Sequence, residues 1–284
     1  MILAYGVANL LQSVAAARTD LHAAFDPRLF LRLGRHRIYL VGIACQFAGF
    51  ALAFLARRDL PLFLVQSAMA AGLGVTVVLG VVVLKWRLPP AELALLGMLC
   101  VGLTALIVSA EPAQSEPLPA TGVLWLIVAL IAVGVAGFFA VRLHGPPGSV
   151  ALGLLAGLTF GAAAVASRPL AAAQSLQQFV TDPLLYLVIV HSMVGQLLLG
   201  MAMQRGSTTA AVAAMDAAAA VPAAIIGLAF LGDAIVSGRE WMAAAGFLGT
   251  LAAVIGLTFY AEPQHHHRIS TRAEPLVGAG SRRH

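Results

Sequence analysis

The chain has 284 residues, of which 60% are hydrophobic and only 10% charged, with a mean hydropathy of +0.92. A soluble domain carries about 25% charged residues, so a water-soluble fold is excluded: too little polar surface remains to cover the apolar bulk, and lipid must be the solvent. The net charge of +5 does not indicate a nucleic-acid partner, because the basic residues lie in short loops and the tail and form no stripe or domain.

In chain order, apolar runs bounded by charge or proline predict an all-α polytopic membrane protein with nine transmembrane helices. These fall at roughly 1–17, 38–56, 60–84, 91–110, 120–141, 149–166, 183–203, 207–231 and 241–260. Most reach the length of about 20 residues that a span needs, and the first and sixth are marginal. Residues 1–17 end in Ala15-Ala16-Ala17 and invite a signal-peptide reading, but no basic segment precedes the run.

Span 1 carries Asn9, Gln12 and Ser13 on one helical stripe. Gln46 and Gln66 are lone amides in spans 2 and 3. Such side chains bind a polar substrate or hold helices together, at about 0.6 kcal/mol per bond in a bilayer. Cys45 and Cys100 lie inside spans without C-x-x-C spacing, which predicts apolar fillers, not a disulfide or metal site. In span 6, Gly153, Gly157 and Gly161 form two consecutive G-x-x-x-G motifs, a flat groove for close helix packing.

Span 7 holds His191, Ser192 and Gln196. His191 is read either as a proton-exchanging group paired with Asp216 or as a histidine bonded to a backbone carbonyl between helices. Asp216 lies near the middle of span 8, six residues before Pro222. A charge at the bilayer centre costs at least about 2.5–3.5 kcal/mol, so an acid there is a candidate proton or cation site. The alternative is a protonated residue bonded to a neighbouring helix. Asp233, Arg239 and Glu240 follow span 8 and predict a solvated charged turn. The segment 261–284 is polar and contains His265-His266-His267, and is expected to be a disordered cytoplasmic tail.

The segments after spans 1, 3, 5, 7 and 9 contain 13 of the 17 Lys and Arg residues. This bias predicts an N-terminus outside and a C-terminus in the cytoplasm of the cell membrane. A shift of 147 residues brings the halves into register: Gly6 meets Gly153, Tyr39-Leu40-Val41 meets Tyr186-Leu187-Val188, Arg58 meets Arg205 and Leu84 meets Leu231. The predicted organisation is a first four-helix repeat (1–110), a connector with helix 5 (111–148) and a second four-helix repeat (149–260). Corresponding spans are five apart, so this 4+1+4 arrangement is an inverted repeat, an architecture of secondary transporters. The same offset sets Asp216 against Met69, so the acid belongs to one copy only.

The stretch RDLPLFLVQSAMAAGLGVTVVLGVVVLKWRLPPAELALLGMLCVGLTALIV (Arg58–Val108) resembles a block of the drug/metabolite transporter (DMT) superfamily: a helix, a short turn, then a glycine-bearing helix. Gly206–Leu257 resembles the same block again, with Leu231-Gly232-Asp233 at the turn. Nine spans and an outside N-terminus are closer in layout to the NIPA-type magnesium transporters than to the ten-span EamA-like exporters. Trp86 stands where the family turn carries Glu, and Gln46 lies near a position that is acidic in NIPA-type proteins.

The resemblance implies a secondary transporter. The residues themselves favour a small organic metabolite or amphiphile as substrate, with Asp216, His191, Gln196, Asn9, Gln12, Gln46 and Gln66 as candidate binding residues. A magnesium or other divalent-cation transporter is the alternative, although one intramembrane carboxylate is thin for that ion. A non-transporting membrane scaffold is a further one. No Walker A motif, G-x-S-x-G elbow or G-x-G-D motif occurs, so neither an ATP-driven pump nor an enzyme is expected. The expected partners are the lipid bilayer, the small-molecule or ion substrate and a second copy of the chain, with no cofactor.

Overall fold

The computed structural model describes residues 1–17, 37–84, 88–113, 115–205 and 208–273. It is an all-α multi-pass membrane protein, with helices α1 (Ile2–Ala17), α2 (Arg37–Ala56), α3 (Leu62–Ala70), α4 (Gly72–Leu84), α5 (Pro90–Ser109), α6 (Ala120–Ala140), α7 (Gly145–Leu170), α8 (Leu176–Thr181), α9 (Pro183–Met203), α10 (Thr208–Phe230) and α11 (Glu240–Ala273). Two short strands, β1 (Ala110–Glu111) and β2 (Ala234–Ile235), pair antiparallel.

Among the described residues seven helical stretches are long and apolar enough to cross a bilayer, with α3 and α4 together making one of them. Of the nine expected, the first two, α1 and α2, are not among these seven; they are helical over Ile2–Ala17 and Arg37–Ala56, and each borders residues outside the description. α11 continues to Ala273, into the segment expected as the tail, and residues 274–284 lie outside the described residues.

Local sequence explains where the helices start. Pro61, Pro89 and Pro119 occupy the N-cap positions of α3, α5 and α6, and Pro90 and Pro183 lie in the first turns of α5 and α9. A proline there loses nothing, because the first-turn N–H groups have no helical acceptor. Asp182 caps α9 by accepting from Leu184 N–H at 2.9 Å.

The third span is interrupted. Ala71 lies between α3 and α4, and its carbonyl accepts from Gly74 N–H at 2.9 Å, a tightened i to i+3 turn. Gly72 sits against α1 there: a Cβ on it would lie 3.0 Å from the Tyr5 Cβ.

Small residues set the packing. A Cβ on Gly153 would come 3.0 Å from Ala211 Cα, one on Gly157 2.8 Å from Ala218 Cβ, and one on Gly161 2.9 Å from the Ala219 carbonyl. The three glycines therefore seat α7 directly on the α10 backbone. Gly102 of α5 and Gly246 of α11 are mutual: a Cβ on either would lie 2.9 Å from the other's carbonyl. α7 packs most extensively against α9 and α10, α1 against α2 and α4, and α5 against α11. α6 buries one stripe only, Leu126, Val133, Gly137 and Ala140, while Trp125, Ile131 and Phe138 are exposed. Cys45 is half-buried, and Cys100, expected inside the core, is exposed on α5.

The segments after α2, α5, α7 and α10 gather at one end of the bundle. β1 and β2 join there in register Ala110 with Ile235 and Glu111 with Ala234. Val236 N–H donates to the Ser109 carbonyl at 2.9 Å, and Glu116 N–H to the Leu231 carbonyl at 3.2 Å. At the opposite end Arg205, just past α9, donates to the carbonyls of Val141 and Leu143 beyond α6. A cation at a helix C-terminus satisfies orphan carbonyls and meets the negative end of the dipole.

Candidate functional site

The tied end of the bundle is built on two buried arginines. Arg168, in the last turn of α7, is fully buried and forms an ion pair with Asp233 at 2.5 Å. Its guanidinium also donates to the carbonyl of Arg57 at 2.8 Å, to that of Leu60, and to that of Ala113 at 3.3 Å. Asp233 Oδ2 accepts from Leu62 N–H at 2.6 Å, which caps the first turn of α3.

Asp233 is not the solvated turn residue expected from its loop position. It is 7% exposed. Gly232, at a φ of 72°, turns the chain through the left-handed region. This returns Asp233 under α10, where its N–H reaches the Gly227 carbonyl at 3.1 Å. Gly227 is needed for that approach, because a Cβ on it would overlap the Asp233 carboxylate. Burial pushes the Asp233 carboxyl above the ordinary range, against the opposing pull of Arg168 and the Leu62 N–H. Arg239 and Glu240 are exposed as expected, and Arg239 donates to the Val108 carbonyl at 2.7 Å.

The second buried arginine is Arg57, 3% exposed. Its guanidinium donates to Ser167 Oγ of α7 at 3.1 Å and to Gln66 Oε1 of α3 at 3.2 Å, and lies 3.2 Å from Met69 Sδ. Its Nε is buried without a hydrogen-bond partner. Gln66, expected as a lone amide in a span, is thus joined to an arginine from the segment after α2.

Asp216 lies half-buried on α10. It shares a helical stripe with Ala220, Ala223 and Gly227, at steps of four, seven and eleven residues. The far end of that stripe faces α3: Ala223 packs in one core cluster with Leu62, and a Cβ on Gly227 would lie 3.2 Å from Leu62 Cβ. α3 begins at the tied end and α10 ends there. Asp216 lies about three turns back from this contact, on a helix that packs against α3, which breaks at Ala71. Among the described residues no ion pair or hydrogen bond to the Asp216 carboxylate is present.

His191 is 1% exposed on α9, with Nδ1 2.9 Å from the Leu187 carbonyl of its own helix and Nε2 buried without a hydrogen bond. Among the described residues it is not bonded to Asp216, and its backbone partner is on its own helix, not on a neighbouring one. Gln196, just over one turn on, is exposed on α9, whereas His191 is buried. Gln46 is half-buried on α2. Asn9 and Gln12 lie on the α1 backbone, but their side chains fall outside the described residues, as does the His265–His267 cluster. Gly153, Gly157 and Gly161 line the α10 contact. Among the described side chains, Gln66 joins the Arg57 cluster, and no hydrogen bond or ion pair joins Asp216, His191 and Gln196 to one another. Among the described residues no group of three or more His, Cys, Asp or Glu is placed to hold a metal ion.

No protein-family model matches this chain, and neither the curated proteins nor the solved structures searched contain a match.

Proposed function

We propose that this chain is a DMT-like secondary transporter. It moves a small organic metabolite or amphiphile across the cell membrane by alternating access, with proton coupling through Asp216. The carrying observation is the position of that acid: in mid-helix, half-buried, on the helix that packs against the interrupted third span, and without an ionic partner among the described residues. Broken helices beside polar groups at the midplane are where secondary transporters place substrates and coupling ions.

The packing supports two related halves. The first helix of each proposed copy, α1 or α7, packs on the second and third helices of its own copy. Gly6 against Val75 and Gly153 against Ala211 make the close contacts with the third helix in the two copies. The fourth helices, α5 and α11, meet across the copies through Gly102 and Gly246. An organic substrate is preferred to a divalent cation because magnesium sites draw on carboxylates together with waters and substrate oxygens, and Asp216 has no second acid beside it among the described residues.

The test is flux into proteoliposomes from a panel of metabolites and divalent cations, with and without an imposed proton gradient. Gradient-driven uptake of an organic substrate is expected, with Asp216→Asn abolishing the gradient dependence. Saturable magnesium uptake without metabolite transport would overturn the substrate assignment, and gradient-driven uptake unchanged in Asp216→Asn would overturn the coupling.

A further inference from the structure

The Arg57 guanidinium is a cation enclosed in the bundle and, among the described residues, bonded only to neutral side chains. A buried charge costs several kcal/mol unless it is paired, and the ordinary remedy is a carboxylate. Arg168 has one in Asp233. Arg57 has none: among the described residues its contacts are a serine hydroxyl, an amide oxygen and a thioether. Burial draws its guanidinium down to about 10, which still leaves it charged at neutral pH.

The partners are themselves informative. Ser167 Oγ donates to the Ala164 carbonyl at 2.8 Å, so only its lone pairs face Arg57. Gln66 presents its oxygen. Met69 Sδ is a weak acceptor, poorly matched to a full positive charge. Nε–H has no acceptor. A guanidinium offers five N–H donors in a planar fork suited to two oxygens of one carboxylate or phosphate. The thioether chain is flexible and can move aside.

The surroundings locate this charge between the halves. Gln66 and Met69 lie one and two turns into α3, and Ser167 is near the end of α7. Tyr5 of α1, a neutral phenol at neutral pH, lies in the neighbourhood of the guanidinium. Directly above, Arg168 binds the Arg57 carbonyl within the tied end, so the side chain lies under a closed seal.

We infer that Arg57, with Gln66 and Ser167, forms an oxyanion-binding site that takes the carboxylate or phosphate group of an anionic ligand in place of the Met69 thioether. The inference rests on the transporter reading in treating that anion as the head of the cargo and in the route by which it reaches the site. The substrate class is then an organic anion or anionic amphiphile, and the parting of the two halves gives it access.

Binding in detergent, without flux, separates failure of the site from failure of the transporter reading. The purified, delipidated full chain is titrated with decyl phosphate, decanoate, inorganic phosphate and acetate, with decanol as the neutral control, and the thermal midpoint and intrinsic tryptophan fluorescence are followed. Saturable stabilisation by at least one anion and none by decanol is expected. Binding by the decyl compounds alone identifies an amphiphile, and binding by the small ions as well identifies the oxyanion itself as sufficient. Arg57→Gln should weaken the apparent affinity at least about tenfold, and Arg57→Lys, which keeps the charge but loses the fork, several-fold. Arg142→Gln, a charge loss on an exposed residue, should leave binding unchanged. If Arg57→Gln does not fold, Arg57→Lys and Gln66→Leu decide. No saturable response to any anion, or an affinity undiminished in the Arg57 and Gln66 variants, overturns the inference.

Discussion

Arg168 and Asp233 face each other at 2.5 Å in a dry environment, but they are not equally replaceable. Arg168→Met would leave the Asp233 charge buried and remove the donor to three carbonyls, so a loss of about 3–5 kcal/mol is expected. Asp233→Asn keeps an oxygen for the Leu62 N–H and leaves Arg168 its carbonyl partners, so its cost should be smaller. Thermal unfolding in detergent ranks the two, and an Asn variant as damaged as the Met variant would refute this order. The pH dependence follows from burial raising the Asp233 carboxyl. A carboxyl whose value is raised on folding binds its proton more tightly in the folded chain. Its stabilising contribution is complete below the unfolded value of about 3.9 and is lost as pH rises through the folded value. The wild type should therefore lose stability relative to Asp233→Asn as pH climbs from about 4 toward neutrality. A relative gain over that interval would mean that Arg168 outweighs burial. At this scale the sequence was least legible. Asp216 stood out because it lies inside an apolar run, whereas Arg57, Arg168 and Asp233 lie at span ends, where a charge is ordinary. Their burial comes from segments far apart in the chain, and the nearest hint was the recurrence of Arg58 at Arg205.

Helix contacts were more readable, because glycine spacing records how closely two backbones approach. The α7 glycines were recognisable as a groove from spacing of four alone, though nothing in the sequence named α10 as the helix that fills it. That contact gives a graded prediction. In Gly157→Ala the new Cβ would lie 2.8 Å from Ala218 Cβ and 3.0 Å from Ala219 N, so the helices must separate, at about 1–3 kcal/mol. Gly134→Ala on α6 meets nothing within 4 Å and should be neutral or slightly stabilising. Equal melting midpoints for the two variants would contradict the packing. The interruption of the third span at Ala71 was not visible in the apolar run, since Ala71 and Gly72 continue its hydropathy and only the backbone turn at Gly74 shows the break.

At the scale of the whole molecule, membrane class followed from composition, and alternation of loops across the bilayer is consistent with the segments after α2, α5, α7 and α10 meeting at one end. Which end faces outward rests on the distribution of Lys and Arg. In a background with Cys45 and Cys100 replaced by alanine, Ser175→Cys should react with a membrane-impermeant maleimide in intact cells. His144→Cys should react only after permeabilisation. Both positions are exposed, and the reverse pattern would invert the orientation.

The ties around Arg168 also constrain biogenesis. The carbonyls of residues 57, 60 and 113 leave the ribosome before Arg168, but Asp233 follows it, beyond α9 and α10. For that interval the α7 terminus carries a positive charge with dipolar partners and the Asp59 carboxylate in its field, but without its ion pair. A guanidinium lacking its ion pair near the end of a hydrophobic helix lies most favourably at the headgroup boundary. α7 is therefore held shallow until α10 is inserted, and the arrival of Asp233 lets it settle. Nascent chains truncated before residue 233 should keep Arg168 within reach of aqueous reagents that the finished protein excludes.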